Sequence, residues 1–346
     1  MATGIIRDDR FLAHDMGAGH PESPDRLRDI HRELDRLNLM PRLTHLEARP
    51  AGEADIVRIH DPALYHRVEF LSSRGGGGLD GDTYAAPETF EVARLATGGL
   101  LHLVEAIATG TVQNGIALVR PPGHHAEPSR AMGFCFFNNV AVAADHALRQ
   151  TEWKRVAIVD YDIHHGNGTQ NAFYGKGEVL YISSHQYPYY PGTGHFRETG
   201  TGAGEGKTLN IPLPPGQGDA EFLYLYQRIV RPALEKFRPD LIIVSAGFDI
   251  YRLDPLGGMK VTEQGFAELS RLLVRAAGDL CGGRVLFALE GGYHTQGLAA
   301  SVGKVVGELL GDPAQPVTDP ETAAPGIREY TKELIHHFRP YWGALG

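Results

Sequence analysis

The chain has 346 residues and a formal net charge of −9, with 42% hydrophobic and 22% charged residues. This hydrophobic share is sufficient for a folded core. The negative charge argues against a nucleic acid as the main ligand, because such binding depends on Lys and Arg side chains that neutralise phosphates. Two cysteines provide no disulfide framework.

The N-terminal segment MATGIIRDDRFLAHD lacks the basic segment, apolar run and small-residue cleavage site of a secretion signal. No uninterrupted apolar stretch reaches the length that spans a bilayer. We therefore expect a cytoplasmic protein without a membrane partner. No Pro/Ser-rich linker divides the sequence, so we expect one catalytic domain over residues 1–346; the oligomeric state is left open.

Strand-like apolar runs alternate with helix-like segments along the chain. This alternation predicts an α/β fold, with a single open, mostly parallel β-sheet and helices on both faces. Ser23 and Pro24 are typical of a helix start, as an N-cap and a first-turn proline. Five further segments have apolar residues at helical spacing, at about 89–109, 138–150, 220–237, 262–280 and 297–310.

Two long glycine-rich segments, at 74–87 and 185–207, interrupt this pattern. Connections of that length in compact domains are often functional. We expect both to form the rim of a site, although mobile surface loops are the alternative interpretation.

Four apolar stretches each run directly into a charged or polar cluster. In an open parallel sheet, ligands bind in the crevice beyond the carboxyl ends of the strands, so the four clusters should converge. The stretches are ALVRPPGHH at 117–125, VAIVDYDIHHG at 156–166, LIIVSAGFD at 241–249 and VLFALEGGY at 285–293.

The second stretch has the spacing of a metal site. Side chains alternate along a strand, so Asp160, Asp162 and His164 would point the same way if the extended geometry continued. A carboxylate and an imidazole two residues apart can then bind one cation, and Asp249 can supply a third ligand from another strand. Three N/O ligands with an open fourth position are typical of a catalytic zinc rather than a structural one.

The turn Arg120-Pro121-Pro122-Gly123 precedes two adjacent histidines, His124 and His125. Its prolines and glycine hold neighbouring imidazoles in defined directions, which favours a paired acid/base function over a structural one.

These imidazoles need partners that orient them, and the second stretch contains two. Asp160 could accept a hydrogen bond from one histidine and Asn167 from the other. A carboxylate favours imidazolium, whereas a neutral amide oxygen leaves its histidine more easily deprotonated. His165 is interpreted as a supporting or structural residue.

Tyr293 follows Glu290-Gly291-Gly292, where the backbone can pass close to the site. Its phenol could donate a hydrogen bond to an oxygen that acquires negative charge, and a buried structural tyrosine is the alternative. Cys135 could act as a thiol nucleophile, but its apolar setting, GFCFFNN, favours an inert small hydrophobic residue.

This combination of motifs closely resembles the histone deacetylase superfamily, the arginase-like zinc amidohydrolases. The resemblance covers about residues 14–300 and leaves only the C-terminal tail outside. Its motifs, in order, are His20-Pro21-Glu22 with Pro24 and Arg26, RPPGHHA, GFCFFNN, DYDIHHGNGTQ, YPGTG at 190–194, SAGFD, Asp254-Pro255 and EGGY.

The resemblance implies a single catalytic Zn²⁺ held by Asp162, His164 and Asp249. A structural K⁺ ion is also expected, held mainly by backbone oxygens. The residues implied for that second ion are Asp160, Asp162, His164, Ser183 and Ser184.

The resemblance also implies the catalytic roles. His125 would be the general base, His124 its electrostatic or acidic partner, and Tyr293 would polarise the acetyl carbonyl. Asn167 stands where many class I members have aspartate, which makes the chain similar to the class II branch and its bacterial amidohydrolase relatives. Substrate contacts are assigned to Gly133, Phe134, Tyr190, Leu256 and Asp82.

The implied function is zinc-dependent removal of acetyl groups from N-acetyllysine side chains. An acetylpolyamine amidohydrolase is the alternative; relatives of that kind can place an acidic residue where this chain has Leu256. A catalytically silent acyl-lysine binding protein would lack a ligand or Tyr293. A binuclear manganese ureohydrolase would need a second full set of Asp and His ligands.

Overall fold

A computed structural model describes residues 2–313 and 318–345. Its principal element is an eight-stranded sheet in which all neighbouring pairs run parallel, in the order β2-β1-β5-β10-β9-β6-β7-β8. A separate antiparallel pair is formed by β3 and β4. The strands are β1 Thr3–Ile6, β2 Thr44–Leu46, β3 Gly77–Gly78, β4 Tyr84–Ala85, β5 Asn114–Ala117, β6 Val156–Asp160, β7 Val179–Gln186, β8 Thr208–Leu213, β9 Leu241–Ala246 and β10 Val285–Leu289.

Helices cover both faces of the sheet. On one face α4 packs against α5, and on the other α10 packs against both α1 and α9. The helices are α1 Asp25–Arg36, α2 Glu53–Ile56, α3 Pro62–Ser73, α4 Thr89–Ala108, α5 Asn139–Gln150, α6 Asn167–Phe173, α7 Asp219–Leu225, α8 Arg231–Phe237, α9 Glu263–Cys281, α10 Thr295–Leu309 and α11 Pro325–Trp342, with short 3₁₀ turns at Asp9–Ala13, Met40–Arg42, Gly202–Gly204 and Pro320–Thr322.

The predicted α/β fold is confirmed. The central strands are buried on both faces, which is why their sequences are continuous apolar runs rather than alternating ones. The five segments with helical periodicity all form helices; the segment at 220–237 is α7 and α8 joined by a π-helical turn at Tyr226–Val230. Within the described residues, no helix combines the length and apolarity that a bilayer crossing requires.

The predicted start of one helix differs from the structure, whereas the predicted irregular turn before His124 is present. Helix α1 begins at Asp25, and Ser23 contributes its carbonyl oxygen to the Arg26 N–H rather than a side-chain cap. Strand β5 ends at Ala117, so the residues up to His125 lie in an irregular segment beyond the sheet. The proline pair suits this irregular segment, as expected from the sequence, because proline cannot donate a ladder hydrogen bond.

Candidate active site

The four stretches singled out in the sequence form the four central strands β5, β10, β9 and β6, which are neighbours in the sheet. Near their carboxyl ends, Ala117, Ala288, Ser245 and Asp160 pair side by side. The polar clusters therefore leave the sheet at one edge, and their predicted convergence is confirmed.

The expected alternation of Asp160, Asp162 and His164 along one face is wrong, because β6 ends at Asp160. The backbone then turns: the Asp162 N–H donates to Asp160 Oδ1 (3.1 Å), and the His164 N–H donates to Asp162 Oδ1 (2.9 Å). Such local side-chain bonds stabilise turns instead of strands. Asp160 faces His124 and Tyr181, while Asp162 faces His164.

Asp162, His164 and Asp249 nevertheless bring three ligand atoms together. His164 Nδ1 lies 3.1 Å from Asp162 Oδ1 and 3.3 Å from Asp249 Oδ2, and all three atoms lie within 4.8 Å of one another. Ligand atoms at about 2 Å from a tetrahedral zinc are separated by about 3.3 Å. The spacing therefore fits one metal ion.

Backbone amides orient both carboxylates of this triad. The Gly291 N–H donates to Asp162 Oδ2 (2.9 Å), and the Ile163 N–H donates to Asp249 Oδ1 (2.8 Å). Among the described residues, Asp249 Oδ2 is buried with no hydrogen-bond partner. Burying a carboxylate oxygen that accepts no hydrogen bond is costly, so this atom, which has the His164 ring nitrogen close by, fits the role of a metal ligand.

A glycine at position 291 is needed for the two carboxylates to meet. A Cβ atom on Gly291 would lie 2.2 Å from Asp249 Oδ2 and 2.6 Å from Asp162 Oδ2. Any other residue would displace the carboxylates, which explains one glycine of the EGGY motif.

The charges of the triad favour a cation. Burial alone would lower the pKa of His164, but the carboxylates of Asp162 and Asp249 raise it to about 9. Burial and the neighbouring charge of Asp162 raise the pKa of Asp249 to about 7. A divalent ion would relieve this repulsion and replace the proton on His164.

The two adjacent histidines have the partners predicted for them. His124 Nδ1 lies 3.1 Å from Asp160 Oδ2, and His125 Nδ1 lies 2.8 Å from Asn167 Oδ1. Burial opposes protonation of His124, but the carboxylates of Asp162 and Asp160 raise its pKa to about 10. Burial and the charge of His124 hold the pKa of His125 well below its usual range. Without a bound metal ion, the surrounding groups therefore favour the protonated form of His124 and the neutral form of His125.

Tyr293 lines the same cavity as the histidine turn. Its ring contacts Phe134 edge-on at 5.9 Å between centroids, and the Arg26 guanidinium lies 5.1 Å from the ring centre. Burial keeps the pKa of the phenol well above its usual range, so the hydroxyl remains a hydrogen-bond donor. The Tyr293 N–H donates to Asp254 Oδ2 (2.6 Å), which fixes the backbone there.

A cavity of about 230 Å³ leads to these groups, with His124, His125, His164 and Tyr293 in its wall. Every residue assigned to the substrate also lines this cavity: Asp82, Gly133, Phe134, Tyr190 and Leu256. Asp82 comes from the segment at 74–87 and Tyr190 from the segment at 185–207. Both glycine-rich segments therefore contribute to the cavity, as expected of a rim.

The residues assigned to potassium lie at or just beyond the end of β6 and within the adjacent strand β7. Ser183 pairs in register with Asp160 across β7 and β6. The Ser183 hydroxyl is hydrogen-bonded to His185 Nδ1 (2.9 Å) and the Ser184 hydroxyl to Tyr226 Oη (3.1 Å). Both serine hydroxyls thus have protein partners.

Three residues of the site were not singled out by sequence reasoning. Tyr189 stacks on His164 with ring centroids 5.5 Å apart and an interplanar angle of 15°. Tyr181 donates to Asp160 Oδ2 (3.0 Å), and Glu290 accepts from the Gly123 N–H (2.7 Å). The signals available were weak: a tyrosine beside Tyr190, a tyrosine two residues before Ser183, and a glutamate inside a glycine-rich turn.

His165 and Cys135 lie near the site without lining the cavity. His165 is hydrogen-bonded to Thr193 Oγ1 (2.8 Å) and Gln170 Oε1 (3.0 Å), so it anchors the segment that carries Tyr190. Cys135 is fully buried, and burial raises the pKa of its thiol well above the usual range. A thiol without access to solvent or to the thiolate form is a poor nucleophile.

Comparison with known proteins identifies this arrangement. The model of the histone deacetylase domain matches residues 20–309. The chain belongs to the histone deacetylase family. A probable deacetylase of Methanothermobacter thermautotrophicus is 44% identical over 328 residues, covering 94% of this chain and 95% of that protein.

Two further relatives place the chain within this family. Human polyamine deacetylase HDAC10 is 40% identical over 336 residues, which cover 94% of this chain and 50% of that protein. The crystal structure of the HDA15 HD domain superposes with a TM-score of 0.93 and 39% identity, covering 99% of this chain and 97% of that one. The arginase-like histone deacetylase fold expected from the sequence is therefore confirmed.

Proposed function

We propose that this protein is a zinc-dependent deacetylase that hydrolyses the amide of N-acetyllysine side chains. The observation that carries the proposal is the placement of three closely spaced ligand residues beside His124 and His125, whose Nδ1 atoms are hydrogen-bonded to Asp160 and Asn167, at a single cavity. Membership of the histone deacetylase family supports the same reaction.

Asp162, His164 and Asp249 would hold the zinc ion, since their ligand atoms have the required spacing. A zinc ion at that position supplies Lewis acidity, which acidifies water and polarises a carbonyl oxygen. The backbone bonds from Gly291 and Ile163 keep the two carboxylates oriented for this role.

His125 is the general base of the proposed reaction. Burial holds its pKa low, its Nδ1–H donates to Asn167 Oδ1, and its Nε2, which no described residue binds, would accept a proton from water in the cavity. His124, held by the Asp160 carboxylate, would in its protonated form stabilise negative charge that develops beside it. A protonated histidine then donates a proton to the departing amine, and acetate and the free amine leave.

Tyr293 stabilises the oxygen of the acetyl group. Its protonated phenol donates a hydrogen bond as negative charge develops there, a contribution of about 3 kcal/mol for one such donor. The ring is positioned by Phe134 and by the Arg26 guanidinium.

The cavity is the proposed acyl-lysine tunnel. Phe134, Gly133 and Tyr190 form its walls around the aliphatic stem, and Leu256 and Asp82 lie among its lining residues. Asp82 would accept a hydrogen bond from a substrate backbone amide.

Three further assignments complete the proposal. A potassium ion would bind the backbone oxygens near Asp160, Asp162, His164, Ser183 and Ser184, and the pairing of Ser183 with Asp160 across adjacent strands supports this. Residues 1–346 would form a single catalytic domain, because one eight-stranded sheet lies at the centre of the described residues. A cytoplasmic location is supported by two buried, unpaired cysteines, which suit a reducing compartment.

An acetylpolyamine is the second candidate substrate. The similarity to human polyamine deacetylase HDAC10 and the net charge of −9 favour a cationic amine. Leu256 argues against a polyamine substrate, because its side chain is aliphatic where an acidic one would attract a second amine. The Leu256 carbonyl oxygen also already accepts a hydrogen bond from the Tyr189 hydroxyl (3.1 Å).

Comparing kcat/KM for an N-acetyllysine peptide and N-acetylputrescine separates the two candidates. We expect the peptide to be the better substrate, since the cavity wall at Leu256 is apolar. A preference for the acetylated diamine would reject the lysine assignment. The variant His125→Ala should abolish hydrolysis of both substrates; activity retained in that variant would reject the proposed base.

A further inference from the structure

Glu290 occupies an unusual position between strand β10 and the turn that carries Tyr293. Its side chain is 1% exposed. One carboxylate oxygen, Oε2, accepts hydrogen bonds from the backbone N–H of Gly123 (2.7 Å) and of His124 (3.2 Å). The other, Oε1, accepts from the Ser245 hydroxyl (3.3 Å). The carboxylate therefore contacts the catalytic histidine turn through its backbone.

The backbone of Glu290 reaches two other parts of the site. Its N–H donates to the Ala246 carbonyl (3.0 Å) at the end of β9, and its carbonyl accepts from the Arg26 guanidinium. The next residue, Gly291, donates to Asp162 Oδ2. Glu290 and Gly291 together thus link the histidine turn, the metal ligand Asp162 and the turn that leads to Tyr293.

The histidine turn depends on such outside contacts because it lies beyond the end of β5, without ladder hydrogen bonds of its own. Two carbonyl groups of the turn accept hydrogen bonds from helices α6 and α5. The Thr169 N–H donates to the His124 carbonyl (3.2 Å), and Asn139 Nδ2 donates to the Pro121 carbonyl (3.1 Å). Buried backbone N–H groups also need acceptors, and for Gly123 and His124 that acceptor is Glu290.

We propose that Glu290 is a positioning residue, whose carboxylate fixes His124 and His125 at the distance from Tyr293 that the reaction requires. This inference rests on the deacetylase function proposed above. Removing the carboxylate leaves two buried N–H groups unpaired, so the turn shifts to recover bonds. A shift of about 1 Å in a catalytic group lowers turnover by about 100-fold.

Two variants distinguish the effect of the position of the Glu290 carboxylate from the effect of its charge. Glu290→Asp keeps the charge but withdraws the carboxylate by about 1.5 Å, the length of one C–C bond. Glu290→Gln keeps the length, and its amide oxygen can still accept from both N–H groups while its NH₂ group donates to Ser245. Glu268 provides a matched control: it is a buried glutamate (3% exposed) on α9 whose Oε1 accepts from the Thr318 N–H (2.9 Å).

The test compares wild-type holoenzyme, Glu290→Asp, Glu290→Gln and Glu268→Asp with an N-acetyllysine peptide. Glu290→Asp should lower kcat by about 100-fold with KM changed by less than about threefold, at unchanged zinc content. Hydrogen exchange should become faster in the segment containing Gly123 and His124. Glu290→Gln should recover most of kcat and keep the wild-type exchange, and Glu268→Asp should change neither kcat nor that exchange.

Wild-type kcat in Glu290→Asp, or a Gln variant as impaired as the Asp variant, would overturn the inference. Unchanged amide exchange at Gly123 and His124 in Glu290→Asp would do the same. A wild-type protein that hydrolyses no acetylated amine would instead reject the proposed function, so the two failures are distinguishable.

Discussion

Replacing Tyr293 by phenylalanine removes the hydroxyl that is proposed to donate a hydrogen bond to the acetyl oxygen. The rest of the side chain is unchanged. The ring contacts with Phe134 and with the Arg26 guanidinium do not involve that hydroxyl. Within the described part of the chain, no protein group is hydrogen-bonded to it; the bond from this residue to Asp254 comes from its backbone. We therefore expect the stability to change by less than about 1 kcal/mol.

The expected catalytic loss is much larger than this change in stability. Removal of one donor from an oxyanion site lowers kcat by about 100- to 1000-fold, or about 3 to 4 kcal/mol. The assay measures kcat and KM of Tyr293→Phe with an N-acetyllysine peptide, together with zinc content and melting temperature. Tyr330→Phe is the matched control, since the Tyr330 hydroxyl donates to the Pro212 carbonyl (2.8 Å) away from the cavity.

Two results would refute this reasoning. If kcat of Tyr293→Phe stays within threefold of the wild type, the phenol does not stabilise the transition state. If Tyr330→Phe loses as much activity as Tyr293→Phe, the effect is a general consequence of removing a tyrosine hydroxyl.

Two further predictions concern acid stability and the buried thiol. His60 is held neutral, because its Nδ1–H donates to the Glu127 carbonyl and its Nε2 accepts from the Asn138 N–H; burial lowers its pKa to about 4. The contribution of neutral His60 to the free energy of unfolding is then nearly complete above about pH 6.5. It is lost as the pH falls towards 4, and the loss is about 2 kcal/mol at pH 5. Denaturant titrations at pH 7 and pH 5 should show this fall, reduced in His60→Gln; an equal fall in both proteins would contradict it. The variant Cys135→Ser should keep kcat within about threefold of the wild-type value, because burial holds the thiol protonated. A tenfold lower kcat would instead support a mechanism that uses the thiol.

The ligands of the metal site could be predicted because each lies just beyond a continuous apolar run. Asp162, His164 and Asp249 follow strands whose burial on both faces makes them easy to recognise, and parallel strands carry their carboxyl ends to one edge. The partners of the two histidines could be predicted as well, since Asp160 and Asn167 are the available acceptors in one short segment.

The orientation of Asp160 could not be predicted, because it depends on the residue at which β6 ends. A carboxylate that accepts from a backbone N–H two residues later turns the chain, and this local bond overrides the alternation expected of a strand. The residue at which a buried strand ends depends on the competition between such local hydrogen bonds and the ladder bonds of the sheet. A run of apolar residues does not indicate its outcome.

The contribution of Glu290 could not be predicted for a different reason. Its hydrogen bond to the Gly123 N–H joins residues 167 positions apart, and nothing in either local sequence specifies the other. Tyr189 illustrates the same limit, because its stacking on His164 follows from the path of a long irregular loop. Periodicity and turn signals describe neighbours along the chain, whereas these contacts arise from the packing of separate elements.

The most direct measurement is a crystal structure of the purified protein with anomalous diffraction data collected at the zinc absorption edge. The account predicts one strong peak about 2 Å from Asp162 Oδ1, His164 Nδ1 and Asp249 Oδ2, and its loss in crystals of Asp249→Ala. A peak bound by other residues, or full zinc occupancy at this position in Asp249→Ala, would contradict the account.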